Sequence, residues 1–409
     1  MLDVILYIGN FRFPLWSAAG KRVYMNGKAL REAGYECVFV GAKPLGETQG
    51  GLEASESTAD GFVYYHFSTM SKNPLKVRTR AAFTELTELL IRKKYLDRIV
   101  CVITYGSPNT ALFNWLLMRF FKKRRIPVVA DCADWHVTKT SNPLFDLVKT
   151  IDTYCRVGVL NKHVSGVIAI SRWLERYYRN SGVPTVLVPP LCDEDPDEIR
   201  RLYVPCRPTT LMYAGFPFRE AMRVTSPNMM KDRLDVALTL LHQASRRGSD
   251  FIFNIYGITK SEYLDSLPWQ AGILDELVDK VNFWGFATND KVRQQTIQSD
   301  YMILLRDSNR MTEAGFSTKV AESLSCGTPV VTTRTSDLGE YVEEGETGYF
   351  IDIVCEEAAV TRLASILDNT ADERRRQHEV CVERRLFYYA TYAQTLACFL
   401  AKVVQQGVN

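Results

Sequence analysis

The residues best suited to chemistry lie between Glu313 and Thr333, in the segment EAGFSTKVAESLSCGTPVVTT. The pattern predicts a loop, a short helix capped by Ser317 or Thr318, and a buried β-branched strand. We expect Glu322 in the first turn, where its side chain leans toward the helix N-terminus. Backbone N–H groups there can bind a phosphate while the carboxylate accepts from a sugar hydroxyl. A helix whose acid only complements the macrodipole would show the same local pattern.

The run GFSTKVAESLSCGTPVV resembles the nucleotide-sugar-binding signature of the retaining GT-B glycosyltransferases of family 4, in the branch that reads GFPTK-x-x-E. The resemblance implies that Glu322 holds the nucleotide ribose. It also implies a sugar-contacting carboxylate eight positions earlier, where this chain has Ala314. Glu313 lies nine positions earlier, so either Glu313 serves across a longer loop or this first carboxylate is absent. The other implied donor-binding residues are Phe316, Ser317, Thr318, Lys319 and, at the end of a strand, Gly257.

Basic residues near the start of the second half could stabilise a departing diphosphate. The family shows a K-D-x-L pattern here, and the resemblance implies that Lys231 is the cation at the leaving group. Asp232 then fits as the N-cap of the following helix. The upstream basic partner is Arg219, with Arg223 as a competing choice. Arg306 flanks the signature loop, where phosphate contact and plain surface exposure are both open.

The first loop of the chain, GNFRFPLWSAAGKR, leads from a strand into a helix that begins near Gly20. The resemblance implies that Gly20 opens this helix beside the donor phosphates. A plain strand-to-helix turn fits the same residues. The aromatic side chains of Phe11, Phe13 and Trp16 could form a platform for an acceptor or could simply pack the loop.

Asp134 and His136 follow a strand predicted at 127–130. They lie at the carboxyl end of that strand, which is the ligand-binding edge of a parallel sheet. The resemblance implies that such a residue faces the donor sugar, where it could hydrogen-bond sugar hydroxyls or the acceptor nucleophile. Ser171 is predicted to cap a helix. It lies in no G-x-S-x-G elbow, so a hydrolase nucleophile is excluded.

Alternating strand-like and helical runs predict an α/β fold in two halves. The resemblance implies the GT-B architecture: two Rossmann-like domains with a central cleft, and a C-terminal helix that crosses back to the N-terminal domain. The predicted parts are an acceptor-binding domain at 1–192, a loop-like linker at 193–208, a nucleotide-sugar-binding domain at 209–385 and the C-terminal helix at 386–409.

The composition is that of an ordinary globular protein, with 46% hydrophobic and 24% charged residues in 409. A net charge of +3 predicts no general attraction to nucleic acid. Ten scattered cysteines without C-x-x-C spacing predict neither a zinc site nor a redox dithiol, and they suit a cytosolic protein.

No signal peptide or transmembrane run is predicted. The segment 116–125, LLMRFFKKRR, fits either a membrane-surface helix or a helix that covers the sheet.

The resemblance therefore implies an enzyme that moves a sugar from a nucleotide-diphosphate donor to a hydroxyl acceptor with retention of configuration. The acceptor would be a glycan or a lipid-linked molecule in polysaccharide or glycoconjugate assembly. No cofactor beyond the donor is expected, and no metal, because no D-x-D pair lies where it could serve the diphosphate.

A non-catalytic GT-B-like subunit that binds nucleotide sugar or scaffolds a partner is the alternative. A dehydrogenase lacks its glycine fingerprint here. The predicted location is cytoplasmic, with peripheral membrane contact as an option; the donor base, the sugar and the oligomeric state stay open.

Overall fold

The computed structural model describes residues 2–14, 17–42, 56–67, 75–106, 111–135, 143–205, 208–218 and 230–408. The chain divides into two compact units. The first unit comprises Met1–Leu191, Ala314–Phe316 and Tyr389–Asn409, and the second comprises Cys192–Glu313 and Ser317–Tyr388. Arg219 and His136 lie outside the described residues, as do Trp16 and Arg223.

The first unit is built on an eight-stranded sheet in the order β3-β4-β2-β1-β5-β6-β7-β8. Its strands are β1 (Val4–Gly9), β2 (Glu36–Ala42), β3 (Ser57–Ala59), β4 (Phe62–Phe67), β5 (Ile99–Tyr105), β6 (Val128–Cys132), β7 (Gly166–Ala169) and β8 (Thr185–Leu187). All neighbours are parallel except β3 and β4. The central strands are continuous apolar runs because both faces of the sheet are covered by helices.

Helices connect these strands: α1 (Ala18–Glu32), α2 (Leu75–Arg92), α3 (Ala111–Lys122), α4 (Pro143–Thr153) and α5 (Arg172–Arg179). A single π-helical turn, Tyr154–Val159, follows α4. Ser171 caps α5 as predicted, because its side chain accepts from Leu174 N at 3.3 Å. Leu117 and Phe121 of α3 are fully buried against the sheet, so α3 is the sheet-covering helix of the two interpretations of this segment.

The C-terminal helix, α15 (Ala393–Val408), belongs to the first unit. Its apolar face, which includes Leu396, Leu400 and Val403, packs on the same sheet face as α1. Phe399 lies so close to β7 that a Cβ at Gly166 would come within 2.7 Å of its ring. The C-terminal helix therefore completes the core of the N-terminal half, as the resemblance implies.

The second unit contains a six-stranded, all-parallel sheet in the order β11-β10-β9-β12-β13-β14. Its strands are β9 (Thr209–Ala214), β10 (Phe251–Tyr256), β11 (Val281–Gly285), β12 (Tyr301–Leu304), β13 (Val330–Thr332) and β14 (Gly348–Phe350). Five of these strands match predicted runs, whereas β14 is too short to give a pattern in the sequence. The sheet places β9 between two strands that come later in the chain, which is the topology of a doubly wound fold.

The helices of the second unit are α6 (Pro196–Leu202), α7 (Leu234–Arg246), α8 (Lys260–Ser266), α9 (Ala271–Glu276), α10 (Asn289–Gln298), α11 (Arg310–Ala314), α12 (Thr318–Ser325), α13 (Glu356–Leu367) and α14 (Ala371–Arg384). The expected loop-like linker is wrong in part, because α6 lies within it. Asp195 caps α6 by accepting from Asp197 N at 2.9 Å, and Pro196 opens its first turn.

Three further observations bear on function. In the part of the chain that the structure describes, no helix is both long and apolar enough to span a bilayer. The described cysteines are free thiols, and six of them are buried. The same ranges hold no group of three or more His, Cys, Asp or Glu side chains placed to bind a metal ion.

Candidate functional site

The candidate site lies at the carboxyl edge of the second unit's sheet. In this sheet β9 is flanked by β10 on one side and by β12 on the other. The carboxyl ends of these three strands therefore lie side by side. In open parallel sheets this switch point is where ligands bind. The residues that follow these three strands should therefore carry the chemistry.

Two glycines mark the strand ends. Gly215 follows β9 with φ +139°, and a Cβ there would lie 2.6 Å from Lys319 Cε. Gly257 follows β10 with φ +94°, and a Cβ there would lie 2.9 Å from Gly215 O. Larger residues would clash at both positions, so these glycines let the Lys319 side chain and the two strand ends pack closely together. Gly257 was among the predicted donor-binding residues.

Asp232 is the centre of a buried ion cluster at this edge. Its carboxylate accepts from the Tyr213 hydroxyl at 2.8 Å and from Arg306 Nε at 2.7 Å, and it pairs with Lys319 Nζ. Burial alone would raise the pKa of Asp232, but the charges of Lys319 and Arg306 more than offset it and hold the pKa well below its ordinary range. The cluster is therefore a carboxylate with two cations around it.

This cluster corrects one prediction and excludes one of two alternatives. Asp232 is not the N-cap of α7; that position belongs to Arg233, whose side chain makes no capping bond and pairs with Asp235 and Asp307. Arg306 is not a surface arginine, since only 6% of it is exposed. Both residues turn inward because each buried charge needs its opposite.

Lys319 is the predicted donor-binding residue that this cluster positions. Its Nζ also donates to the Tyr213 hydroxyl at 3.3 Å and lies 4.7 Å from the ring centroid. Burial lowers the pKa of Lys319, and the neighbouring Asp232 opposes that shift. The ammonium is held in one place at the strand edge, next to Gly215.

The helix α12 begins directly after the signature loop. Ser317 occupies the N-cap position but makes no side-chain capping bond. Its Oγ is buried and has no hydrogen-bond partner among the described residues. The helix start thus presents backbone N–H groups and an unpartnered hydroxyl together, with Thr318 half-buried as its first residue and Phe316 buried just before it.

Glu322 lies in the second turn of α12, not in the first as predicted, because the helix begins only at Thr318. It is half-buried, and its charge acts on Lys319, three positions earlier. Its Cα–Cβ bond still leans toward the helix N-terminus. The carboxylate is therefore aimed along the face that carries Lys319.

Glu313 lies on α11, just before the signature loop, and both of its carboxylate oxygens accept hydrogen bonds from protein groups. It accepts from the Ser308 hydroxyl at 2.8 Å through one oxygen and from Ser336 N at 3.1 Å through the other. These bonds tie α11 to the loop after β13. The carboxylate that was expected to contact a sugar is therefore engaged by protein groups in this structure.

Lys231 is solvent-exposed and immediately precedes the buried Asp232. Its backbone N–H donates to Pro217 O at 3.1 Å, which fixes it close to the end of β9. Its positive charge favours the ionised form of Asp232.

In the first unit, Gly20 is the third residue of α1, and its N–H donates to the Ser17 cap at 3.1 Å. A Cβ at Gly20 would lie 2.0 Å from Arg12 O, so this glycine makes room for the protein's own loop. Phe11 and Phe13 are 1% exposed, and Phe13 stacks on Phe39, which supports the packed-loop interpretation.

Asp134 lies just beyond β6 and is half-buried. The strand runs two residues further than predicted, so Asp131 is inside the sheet. There Asp131 accepts from Arg22 Nη2 at 2.7 Å and from Tyr7, which makes it part of a buried structural network. Asp134 remains the carboxylate at this strand end, and its charge raises the pKa of Tyr105 in addition to the larger effect of burial.

Comparisons with known proteins agree with this architecture. Residues 230–380 match the family described as Glycosyl transferases group 1. No curated protein matches the chain at a significant level. Among solved structures, the fold is similar to sucrose-phosphate synthase from Thermosynechococcus elongatus, with a TM-score of 0.67 and 15% identity over 99% of this chain and 100% of that one.

Two other similar structures are HepE from Anabaena in complex with UDP and glucose, and α,α-trehalose 6-phosphate synthase from Burkholderia multivorans. The first has a TM-score of 0.62 at 15% identity, over 98% of this chain and 99% of that one. The second has a TM-score of 0.63 at 10% identity, over 99% and 100%. The resemblance to glycosyltransferases is therefore confirmed for residues 230–380, and the solved structures confirm the α/β fold of the GT-B type.

Proposed function

We propose that this protein transfers a glycosyl group from a nucleoside-diphosphate sugar to a hydroxyl acceptor, with retention of configuration and without a metal ion. The acceptor is a glycan or a lipid-linked molecule of polysaccharide or glycoconjugate assembly, and the reaction takes place in the cytoplasm. HepE, a protein of similar fold, has been solved with UDP and glucose, which supports a nucleotide-sugar donor for this chain.

The observation that carries the proposal is the buried ion cluster beside an open helix start. Lys319 is fixed by Asp232 next to the glycine-lined ends of β9 and β10. The Ser317 hydroxyl and the first N–H groups of α12 lie in the residues just before it. Amide donors and a positioned ammonium suit a diphosphate, and Glu322 is aimed along the same face for a ribose.

In the proposed reaction the bond between the anomeric carbon and the diphosphate oxygen breaks, and its electron pair leaves with the nucleoside diphosphate. The acceptor oxygen forms the new bond on the same face of the sugar. The acceptor proton passes to an oxygen of the departing phosphate. Lys231, with Arg219 as the implied second cation, stabilises the growing charge on the diphosphate. Asp134 and His136 are the proposed partners of sugar or acceptor hydroxyls.

The test has two stages with the purified full chain. Thermal shift with UDP, GDP and ADP and their common sugars identifies the donor by the stabilisation that binding confers. Release of free nucleotide from that donor is then followed with and without EDTA. We expect slow release in both conditions, since water can replace the acceptor. Release that EDTA abolishes would refute the metal-free step and leave sugar transfer standing.

The Glu322→Ala variant should bind the donor about 10- to 150-fold more weakly, because a charged acceptor of hydrogen bonds is worth about 1.5–3 kcal/mol. Isothermal titration calorimetry with the identified nucleotide measures this directly. Glu383→Ala, a change at an exposed glutamate of α14, is the matched control and should leave the affinity unchanged. A folded Glu322→Ala protein with wild-type affinity would remove Glu322 from the donor site.

One observation favours a second candidate function, a non-catalytic subunit that binds nucleotide sugar or scaffolds a partner enzyme. Both carboxylate oxygens of Glu313 are engaged by Ser308 and Ser336, so no carboxylate oxygen of this residue is left without a protein donor. If this interpretation holds, the donor binds, but no nucleotide is released and nothing is transferred to lipid or glycan extracts. Turnover of the bound donor decides for the enzyme.

Peripheral contact with an anionic membrane is proposed for the first unit on its charge and apolar pattern. The face of α4 is exposed at Leu144, Leu147, Val148 and Ile151, with 46–70% of each residue accessible. The exposed basic end of α3, KKRR at 122–125, belongs to a stretch without acidic residues from 99 to 130. An apolar helix face in the same unit as a cationic cluster suits a bilayer with anionic head groups.

The Leu147→Asn/Ile151→Asn variant should therefore bind vesicles containing phosphatidylglycerol at least about tenfold more weakly, since two apolar side chains no longer enter the interface. Co-sedimentation with vesicles measures binding, and purely zwitterionic vesicles should bind the wild type poorly. The control variant, Val278→Asn/Val354→Asn, alters exposed apolar residues of the second unit. Equal binding by both variants would exclude α4 as the contact face.

A further inference from the structure

Arg156 is a buried arginine with two guanidinium nitrogens that make no hydrogen bond to the described residues. It lies on the π-helical turn after α4 and is 1% exposed. Its Nε and Nη2 atoms have no hydrogen-bond partner in the described ranges. Arginine cannot shed its proton to escape burial, so an unpartnered guanidinium inside a protein is strongly unfavourable. Single π-helical turns are frequent at functional sites.

The other buried arginines of the described residues show how unusual this is. Arg22 pairs with Asp131, Arg306 pairs with Asp232, and Arg374 Nε lies 3.0 Å from an oxygen of Asp300. Each of these three is neutralised by a carboxylate that is equally buried. Among the described residues, Arg156 is the one buried arginine without an ion pair to a buried carboxylate, so an anionic ligand could fill that role.

Arg156 lies at the ligand-binding edge of the first unit's sheet. Gly106 directly follows β5, and a Cβ there would lie 2.4 Å from Arg156 Cδ and 3.2 Å from Nη1. β1 is flanked by β2 and β5, so the carboxyl ends of β1 and β5 form the switch point of this sheet. Gly106 leaves the space that the guanidinium needs to reach that edge.

The groups around Arg156 fit an anion. The Tyr105 hydroxyl makes no hydrogen bond with the described residues, and Tyr105 is 8% exposed. Burial, followed by the charges of Asp134 and Asp131, raises the pKa of Tyr105, so its hydroxyl stays a donor. Burial raises the pKa of Cys132 to about 11 even though Arg156 opposes the shift, so no thiolate neutralises the guanidinium. Asp131 already forms a buried ion pair with Arg22.

We propose that Arg156 and Tyr105 form a subsite for an anionic group, a phosphate or a carboxylate, on the molecule that accepts the sugar. The inference rests on the proposed function, because it assigns the first unit to the acceptor. A guanidinium presents parallel N–H donors that match the oxygens of such a group, and the Tyr105 hydroxyl adds a neutral donor. Asp134, at the next strand end, lies on the same edge for an acceptor hydroxyl.

The test measures anion binding by calorimetry with the full chain, so it does not depend on turnover. The probes are inorganic phosphate, acetate, glucose 6-phosphate and dihexanoyl phosphatidic acid, each in a buffer without other multivalent anions. Phosphate against acetate separates the two anion chemistries, and the sugar phosphate against the short-chain lipid separates the two sources of a phosphate. Saturating nucleoside diphosphate is included to occupy the donor site of the second unit.

Arg156→Met should weaken binding of the preferred probe about 10- to 100-fold, and Tyr105→Phe should weaken it several-fold. Arg176→Met, the same change at an exposed arginine of α5, should have no effect. Lys319→Met, which alters the donor side, should also leave it unchanged. Without the probe, Arg156→Met should melt at a higher temperature than the wild type, because an unpartnered buried charge has been removed.

Wild-type affinity in folded Arg156→Met would overturn the subsite, and so would a loss confined to Lys319→Met, which would place the anion in the donor site. If Arg156→Met does not fold, unchanged probe affinity in both Arg156→Lys and Tyr105→Phe would overturn it equally. Failure of the proposed function is distinguishable, since nucleotide binding and turnover would then be absent while the Arg156-dependent anion binding persisted.

Discussion

The Asp232→Asn variant is expected to lose about 3–5 kcal/mol of unfolding free energy, the usual result of removing one partner from a buried ion pair. Asp232 is 1% exposed and is shared by Arg306 and Lys319. Asparagine keeps the shape but takes away the negative charge, so both cations lose the same partner. Urea unfolding followed by circular dichroism measures the loss. Asp265→Asn, at an exposed aspartate of α8, should change stability by less than about 0.5 kcal/mol.

The same cluster predicts the pH range in which this stability disappears. The folded protein holds the pKa of Asp232 below its ordinary range, because Lys319 and Arg306 more than offset the effect of burial. The contribution is therefore fully present above about pH 5 and is lost as the pH falls below the unfolded value of about 3.9. The wild type should lose stability on acidification more steeply than Asp232→Asn. If the unfolding free energies of the two proteins fell equally with pH, the pKa of Asp232 would not be lowered in the folded protein.

The sequence predicts the architecture well because the signals for it are local. Continuous apolar runs such as Phe251–Tyr256 and the capping serine at Ser171 depend on residues only a few positions apart, and the structure has both as expected. The C-terminal helix follows from the family resemblance, because nothing in its own periodicity says which half it joins.

The ion cluster could not be predicted in this way. Asp232 sits in a good N-cap context, yet its partners Arg306 and Lys319 lie 74 and 87 positions away. A buried carboxylate of this kind is decided by which strands become neighbours, which single-sequence patterns do not give. The available signal was the position of Arg306 directly after a buried strand, at the ligand edge of the sheet.

Arg156 was missed for the same reason. Its neighbours Tyr105 and Cys132 end two strands that are far from it in sequence, and only the parallel sheet brings them together. In the sequence Arg156 reads as one more polar residue on a long helix. The π-helical turn, which places its side chain inside the protein, leaves no pattern that a period of 3.6 residues would reveal.

The Lys231→Ala variant is expected to lower kcat about 10²- to 10³-fold, the usual cost of losing a group that stabilises charge in the transition state. The negative charge on the diphosphate grows as the glycosidic bond breaks, so a cation nearby is worth more in the transition state than in the bound donor. Donor affinity, measured by calorimetry, should therefore fall less than about tenfold. Lys291→Ala, at an exposed lysine of α10, is the control and should keep full activity.

Comparison with Lys319→Met separates binding from catalysis at this edge. Lys319 already shares its charge with Asp232 and is mostly buried, so we expect it to hold the diphosphate equally in the ground state and the transition state. Its loss should raise the donor Kd and lower kcat/KM by the same factor, with kcat nearly unchanged. Lys231 is exposed, whereas Lys319 is held against the buried Asp232. If Lys231→Ala showed the uniform pattern instead, the catalytic role would pass to another cation, and Arg219 would be the next to test.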